Sequence, residues 1–325
     1  MDSGRIIPLV AVEINIDYHW KIFVTTTTTP LTISGIIPPM ITPFREDGGV
    51  DYTAFANNID RWNREDLSGY LVLGSNSETA YLTEEEKLKL IEIAVGSATK
   101  GRNLLAGTGL ESTKETIRLT NEAARLGATA ALIVTPFYYA SQMTDAALIH
   151  HYTVIADAAD IPILLYNVPK FTHLNMSADV IKILSGHPNI TGMKDSMGSF
   201  SQLVTFKNVV PSDFTLIAGS ASIFYPALAL GIDTGILALA NCAPAECARI
   251  QKMFNRGRHE EAKLLHDRMM PVNKAVTDTY GIAGLKFACT LRGFDGGHPR
   301  SPLLGLTTDQ EDALRQLLIQ AELFE

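Results

Sequence analysis

Short apolar runs recur along this chain, and each is separated from the next by a stretch with room for a helix. The runs cover 36–44, 69–73, 103–107 and 129–134, then one beginning at Ile163, one ending in Lys194, and finally 214–218 and 234–239. They are continuous rather than alternating, as strands buried on both faces should be. Between them, 51–64, 83–99, 112–126, 144–158, 177–185, 199–208 and 221–230 read as helices. Asp51 supplies an N-cap, and Thr83-Glu84-Glu85-Glu86 supplies a capping box. Eight strands alternating with helices predict an α/β fold, the (β/α)8 TIM barrel, and the pattern fits no internal break. An open doubly wound sheet would announce a glycine-rich phosphate loop after its first strand, and none is present.

Three further helical stretches, 244–255, 258–279 and 308–321, exceed what the eighth barrel helix needs. They predict a small C-terminal helical appendage over 258–325, after a barrel spanning 35–257. Residues 1–34 stand apart as an N-terminal extension of unassigned role. The apolar run from Ile6 to Val24 is interrupted by Glu13, Asp17, His19 and Lys21, too early for a membrane span. A strand pair is one reading of it.

Composition narrows the partners. With 325 residues, 46% hydrophobic and 19% charged, the chain reads as a globular protein with a large core. A net charge of −8 and the lack of a basic run exclude a nucleic-acid partner, and no membrane partner is expected. Three cysteines, Cys242, Cys247 and Cys289, form neither a disulfide framework nor a zinc motif, so a reducing compartment is expected. The cytoplasm is the first reading and the mitochondrion the second, although Arg5 is the only arginine in a leader that should be rich in them.

The candidate chemistry lies at strand ends. Tyr166 closes the run that starts at Ile163, and Lys194 closes Ile190-Thr191-Gly192-Met193. They are 28 residues apart, which suits neighbouring parallel strands joined by a helical crossover. Both then fall on the carboxyl-terminal face, where such barrels keep their chemistry. Desolvation favours the neutral amine of a buried lysine, and a free amine condenses with a ketone. The sharp reading is a Schiff-base lysine served by a tyrosine; the bland one is a lysine that closes a strand and snorkels to solvent. His150 and His151 lie mid-helix and read as structural, and no metal site is expected. Lys286 reads as surface or tail packing, and Glu78 as a carboxylate bonding nearby backbone amides.

Four strand-end segments, Gly74-Ser75-Asn76-Ser77-Glu78, Thr135-Pro136-Phe137-Tyr138-Tyr139, Tyr166-Asn167-Val168-Pro169 and Gly192-Met193-Lys194-Asp195-Ser196, together resemble one family. It is the pyruvate-dependent class I aldolases related to dihydrodipicolinate synthase and N-acetylneuraminate lyase. Gly219-Ser220-Ala221 adds weaker support. The resemblance implies a homotetramer acting on a small 2-oxoacid such as pyruvate, with no cofactor beyond a covalent imine on Lys194. It implies that Tyr166 shuttles protons, that Ser75 relays them, and that Tyr138 completes the relay in a neighbouring subunit. It also implies that the Ser75 and Asn76 amides hold the pyruvyl carboxylate, and that Gly219 lines the substrate. Asn76 and Ser196 stand where they would meet the substrate's distal half.

Within the family, Ala146 to Thr153, Gly281 to Lys286 and Arg300-Ser301-Pro302-Leu303 are most similar to the branch acting on 4-hydroxy-2-oxoglutarate, which is the preferred substrate. A 3-deoxy-2-oxo sugar acid, a dihydrodipicolinate synthase-like condensation, and a barrel that only binds a 2-oxoacid are the alternatives. Family members of the lysine-pathway type carry an arginine five residues after the tyrosine, and here that position is Phe171. A phenylalanine cannot clamp a carboxylate. Ser77 replaces a glycine usual in the family.

Overall fold

The computed structural model describes residues 33–324. The extension expected over 1–34, with its strand-pair reading, falls almost wholly outside them. Eight strands run in chain order: β1 (Gly35–Ile37), β2 (Gly69–Val72), β3 (Asn103–Gly107), β4 (Ala130–Val134), β5 (Ile163–Asn167), β6 (Ile190–Asp195), β7 (Thr215–Ala218) and β8 (Thr234–Ile236). All paired neighbours are parallel, and the sheet order is β1-β8-β7-β6-β5-β4-β3-β2. Past β1, a parallel bridge between Pro39 and Leu71 closes the ring, with the Leu71 N–H donating to the Pro38 carbonyl and the Met40 N–H to that of Leu71. The expected TIM barrel is the fold.

Two apolar layers follow from the period-two alternation of strand side chains. Ile37, Leu71, Leu105, Leu132, Leu164, Ile217 and Ile236 fill the barrel, and Tyr166 belongs to the same inner cluster. Their chain neighbours point outward into a larger layer shared with the surrounding helices, where Leu165, Met193, Leu216 and Leu237 are buried. Local sequence sets the helix starts. Asp51 accepts the Ala54 N–H at 2.9 Å, Thr83 and Glu86 form the expected capping box, and Thr144 caps Asp145–Ala158. Each cap contributes about 1 kcal/mol.

Three expectations need correction. The first strand is only Gly35–Ile37, because Pro38 and Pro39 have no N–H to continue a ladder. The eighth ends at Ile236, and 238–241 turns into a 3-10 helix. The helix expected over 258–279 is His259–Lys274 followed by a π-helical turn, Ala275–Thr279. Another helix, Gly281–Leu291, follows it. No helix was expected over this segment; its Gly284 serves close packing, since a Cβ there would meet the Tyr280 Cβ at 2.5 Å. Among the described residues, no helix is long and apolar enough to cross a membrane.

Candidate active site

Strands β5 and β6 pair with Tyr166 opposite Lys194, and β6 pairs with β7 so that Lys194 lies opposite Ile217. Both candidate side chains therefore point into the barrel near its carboxyl-terminal end. Lys194 is 4% exposed and Tyr166 6%. The Lys194 Nζ sits 4.3 Å from the centre of the Tyr166 ring. Among the described residues it has no hydrogen-bond acceptor. The Tyr166 hydroxyl stands 3.3 Å from the Ser75 Oγ, a contact in which either oxygen can donate. Lys194, Tyr166 and Ser75 are thus contiguous, drawn from β6, β5 and the loop after β2.

That loop is held in an unusual shape. Leu73 and Glu78 have φ of +61° and +55°, the left-handed region that costs a bulky residue about 1–3 kcal/mol. Between them Ser75–Ser77 makes one 3-10 turn, whose leading N–H groups, those of Ser75 and Asn76, have no acceptor within the turn. A side chain at 107 would have its Cβ 2.3 Å from the Leu73 carbonyl oxygen, so glycine at the end of β3 lets the loop lie flat on the barrel. Ser77 is buried, donating its hydroxyl to the Met40 carbonyl at 2.6 Å, while the Thr42 hydroxyl donates to the Ser77 carbonyl at 2.9 Å.

Lys286 departs from expectation, while Glu78 accepts a backbone amide as expected but is also paired with that lysine. Lys286 is 1% exposed rather than a surface residue, and its Nζ lies 2.5 Å from the Glu78 Oε1. It also donates to the His298 carbonyl at 2.6 Å. Burial draws its pKa down to about 8, against the opposing pull of the Glu78 carboxylate. The Glu78 Oε2 accepts one backbone amide, that of Arg300, at 2.8 Å. The Gly-Leu-Lys segment carried no signal for this, because its partner lies near the other end of the chain.

Outside the barrel wall, a polar layer backs the lysine and tyrosine. Asn167 donates its amide to the Asp195 Oδ1 and to Asn175, both at 2.8 Å, and accepts the Met176 N–H at 3.0 Å. Gln202 also donates to the Asp195 Oδ1, at 3.1 Å. Asp195 is fully buried with its Oδ2 unpartnered, and burial raises its pKa, only partly offset by the donors on Oδ1. Sequence reading missed Asn167 and Asp195 as supports, although each follows a candidate residue and so had to face the other way.

Ser196 and Gly219 come together: the Ser196 hydroxyl donates to the Gly219 carbonyl at 3.4 Å, and the Gly219 N–H to the Asp195 carbonyl at 2.8 Å. A Cβ at 219 would lie 2.6 Å from the Asp195 carbonyl oxygen, a backbone atom that cannot swing aside, so the position requires glycine. Asn76 is half-buried in the 3-10 turn, and its side chain makes no hydrogen bond among the described residues. Tyr138 is not joined to this group within the chain. It is 74% exposed, packed edge-on against Tyr139, with its backbone N–H held by Glu111 at 2.9 Å. Phe171 is half-exposed on the short helix Pro169–Thr172 that follows β5. Buried His151 bonds the Thr113 hydroxyl at 2.8 Å, and burial lowers its pKa to about 4, consistent with the structural reading. Among the described residues, no three His, Cys, Asp or Glu side chains gather so as to hold a metal ion.

A buried amine on a phenol that reaches a hydroxyl, at the carboxyl-terminal end of a β/α barrel, is an arrangement able to condense with a carbonyl and to move the protons this requires. The chain belongs to the dihydrodipicolinate synthetase family, whose model matches residues 32–321. It is 33% identical over 285 residues to the 4-hydroxy-tetrahydrodipicolinate synthase of Methanothrix thermoacetophila, covering 87% of this chain and 95% of that one. It is 34% identical over 290 residues to that of Rhodospirillum centenum, covering 89% and 98%. Among solved structures, YagE of Escherichia coli K12, a prophage protein of the same family determined in complex with pyruvate, superposes with a TM-score of 0.85. It is 28% identical over 90% of this chain and all of that one. The protein is therefore an enzyme of this lyase and condensing family.

Proposed function

We propose that Lys194 forms an imine with the ketone of a 2-oxoacid, and that pyruvate is the fragment held on the enzyme. The observation that carries this is the run of contacts from the Lys194 amine to the Tyr166 ring and from the Tyr166 hydroxyl to Ser75. The amine adds to the ketone, and Tyr166 and Ser75 move protons so that the carbinolamine loses water. In the cleavage direction, the substrate's 4-hydroxyl gives up its proton and becomes an aldehyde as the adjacent carbon–carbon bond breaks. The bonding pair passes into the protonated imine to make an enamine. Protonation of that enamine and hydrolysis free pyruvate and the lysine. Condensation runs the same steps backwards. The imine is the electron sink, so this scheme requires no separate cofactor.

The free N–H groups of Ser75 and Asn76 suit the pyruvyl carboxylate. Ser196, just past the end of β6 itself, and Gly219, just past the end of β7, suit the rest of the substrate. Tyr138, exposed in the single chain, fits the family expectation that it completes the relay in a neighbouring subunit of a homotetramer.

For the second substrate, the names of the relatives favour the synthase-like condensation over the preferred cleavage of 4-hydroxy-2-oxoglutarate. One feature of this chain weakens the synthase-like reading. Phe171 stands where the resemblance calls for an arginine to grip an acceptor's carboxylate. Incubation with pyruvate and borohydride, followed by peptide mass spectrometry, tests the reaction class. An adduct on Lys194 is expected, and its absence in folded protein overturns the imine. Adding glyoxylate or an amino-aldehyde acid with pyruvate then separates the two readings by which one is consumed.

A further inference from the structure

We propose that Glu78, Lys286 and Arg300 are positioning residues: the C-terminal segment clasps the loop that carries Ser75 and thereby sets the pyruvate-binding end of the site. The inference rests on the functional reading above only for what the loop binds. The loop's shape is costly by itself, since non-glycine residues at both of its ends hold positive φ. Within the turn, only the Ser77 and Glu78 amides close short bonds, to the Gly74 and Ser75 carbonyls at 3.0 and 3.1 Å. Something outside the loop must hold it.

The clasp is built from the far end of the chain. Both carboxylate oxygens of Glu78 have a partner: Oε1 is ion-paired with the Lys286 ammonium, without hydrogen-bond geometry, and Oε2 accepts the Arg300 backbone N–H. Lys286 is anchored in turn on the His298 carbonyl, and the His298 N–H donates to the Phe44 carbonyl at 2.9 Å. Arg300 continues outward. Its guanidinium bonds both oxygens of Glu86, at 2.6 and 2.7 Å, and donates to the carbonyls of Gly48 and Tyr81. The Lys286 Nζ and the Arg300 guanidinium carbon each lie 4.4 Å from the centre of the Phe44 ring. Phe44 precedes the first barrel helix, and Tyr81 lies just beyond the loop. The segment around 286–300 therefore touches what precedes and follows the Ser75 turn, and pins the residue that ends it. A buried carboxylate in the left-handed region keeps that geometry only while its two partners stay in place.

The test is Glu78→Gln together with Lys286→Met, which removes both charges at once and keeps an acceptor for the Arg300 N–H. We expect a folded protein in which the Ser77 and Glu78 amides exchange with deuterium at least about tenfold faster than in wild type. The same variant should show KM for the 2-oxoacid raised by about tenfold, the factor one lost hydrogen bond at a binding site corresponds to. Unchanged exchange and unchanged KM, with only the melting temperature lowered, would mean that the cluster is a structural staple and would overturn the proposal. If wild type forms no borohydride adduct with pyruvate yet the variant's loop exchanges faster, the functional reading fails and the clasp stands.

Discussion

Two buried lysines in this chain share a local sequence pattern, Gly192-Met193-Lys194 and Gly284-Leu285-Lys286, yet their surroundings are opposites. Lys286 is clasped by a carboxylate oxygen and a backbone carbonyl and lies 4.4 Å from a phenylalanine ring centre. Lys194 has the Tyr166 ring and no acceptor among the described residues. The Lys286 nitrogen is occupied by two oxygen partners and so is suited to holding, while the Lys194 nitrogen faces an aromatic ring with no acceptor among the described residues and has room for a carbonyl carbon to approach. Geometry, not burial, separates the two amines.

The largest expected effect breaks the pair apart by function. Lys194→Ala should abolish turnover and the borohydride adduct while leaving the melting temperature near that of wild type, since no acceptor loses its donor. Retained activity would sink the imine. Next comes Tyr166→Phe, which removes only the hydroxyl that meets Ser75. It should slow turnover by about a hundredfold or more, as a lost general acid–base group does. A steady-state assay showing an unchanged rate would reassign the relay.

Lys286→Met should do the reverse of Lys194→Ala. It strands the Glu78 carboxylate in the interior and should cost about 3–5 kcal/mol in denaturant unfolding, most of it recovered when Glu78→Gln is added. The pH dependence sharpens this. The folded-state pKa of Lys286, about 8, lies below the ordinary 10.5. Between those values the unfolded chain holds the proton more tightly, so this group's contribution to stability rises with pH from about 8 to 10.5. Wild type should therefore gain on the doubly neutral variant over that window. Parallel profiles would mean the lysine is not desolvated.

The barrel was legible in the sequence because its strands are buried on both faces and its helices begin with polar caps. Ile163-Leu164-Leu165 and the Thr83 capping box each report a local cause. Lys194 and Tyr166 were legible for the same reason, since a polar residue that ends an apolar strand must sit at the barrel's rim. What escaped was non-local. Lys286 reads as tail packing until the fold brings it to Glu78, far earlier in the chain, and its helix opens on Gly281 at positive φ and contains Gly284, which serves close packing. Tyr138 is a different case: its exposure in one chain says nothing of a second copy, so its role could come only from resemblance.

The smallest expected effect concerns the carboxylate behind Lys194, the counterpart of Glu78. Asp195 follows Lys194 directly, yet its side chain points outward, where its Oδ1 accepts N–H groups from Asn167, Gln202 and Met197 and, among the described residues, no cation answers it. Asp195→Asn keeps that acceptor and removes a desolvated charge, but it puts an amide donor where Oδ2 now lacks a partner, so the two changes oppose each other and stability near neutral pH should move little. Their pH dependence does not cancel. Burial raises the Asp195 pKa above the ordinary 3.8, so the folded state holds its proton to higher pH than the unfolded chain does. Its contribution to stability is present at low pH and declines as pH rises from 3.8 through the raised value. Urea unfolding across the acid range should show wild type losing ground to Asp195→Asn as pH rises, with turnover far less affected than by Tyr166→Phe. A flat difference would mean that water reaches the carboxylate; a loss of turnover as large as that of Tyr166→Phe would place Asp195 in the proton path and undo the contrast with Glu78.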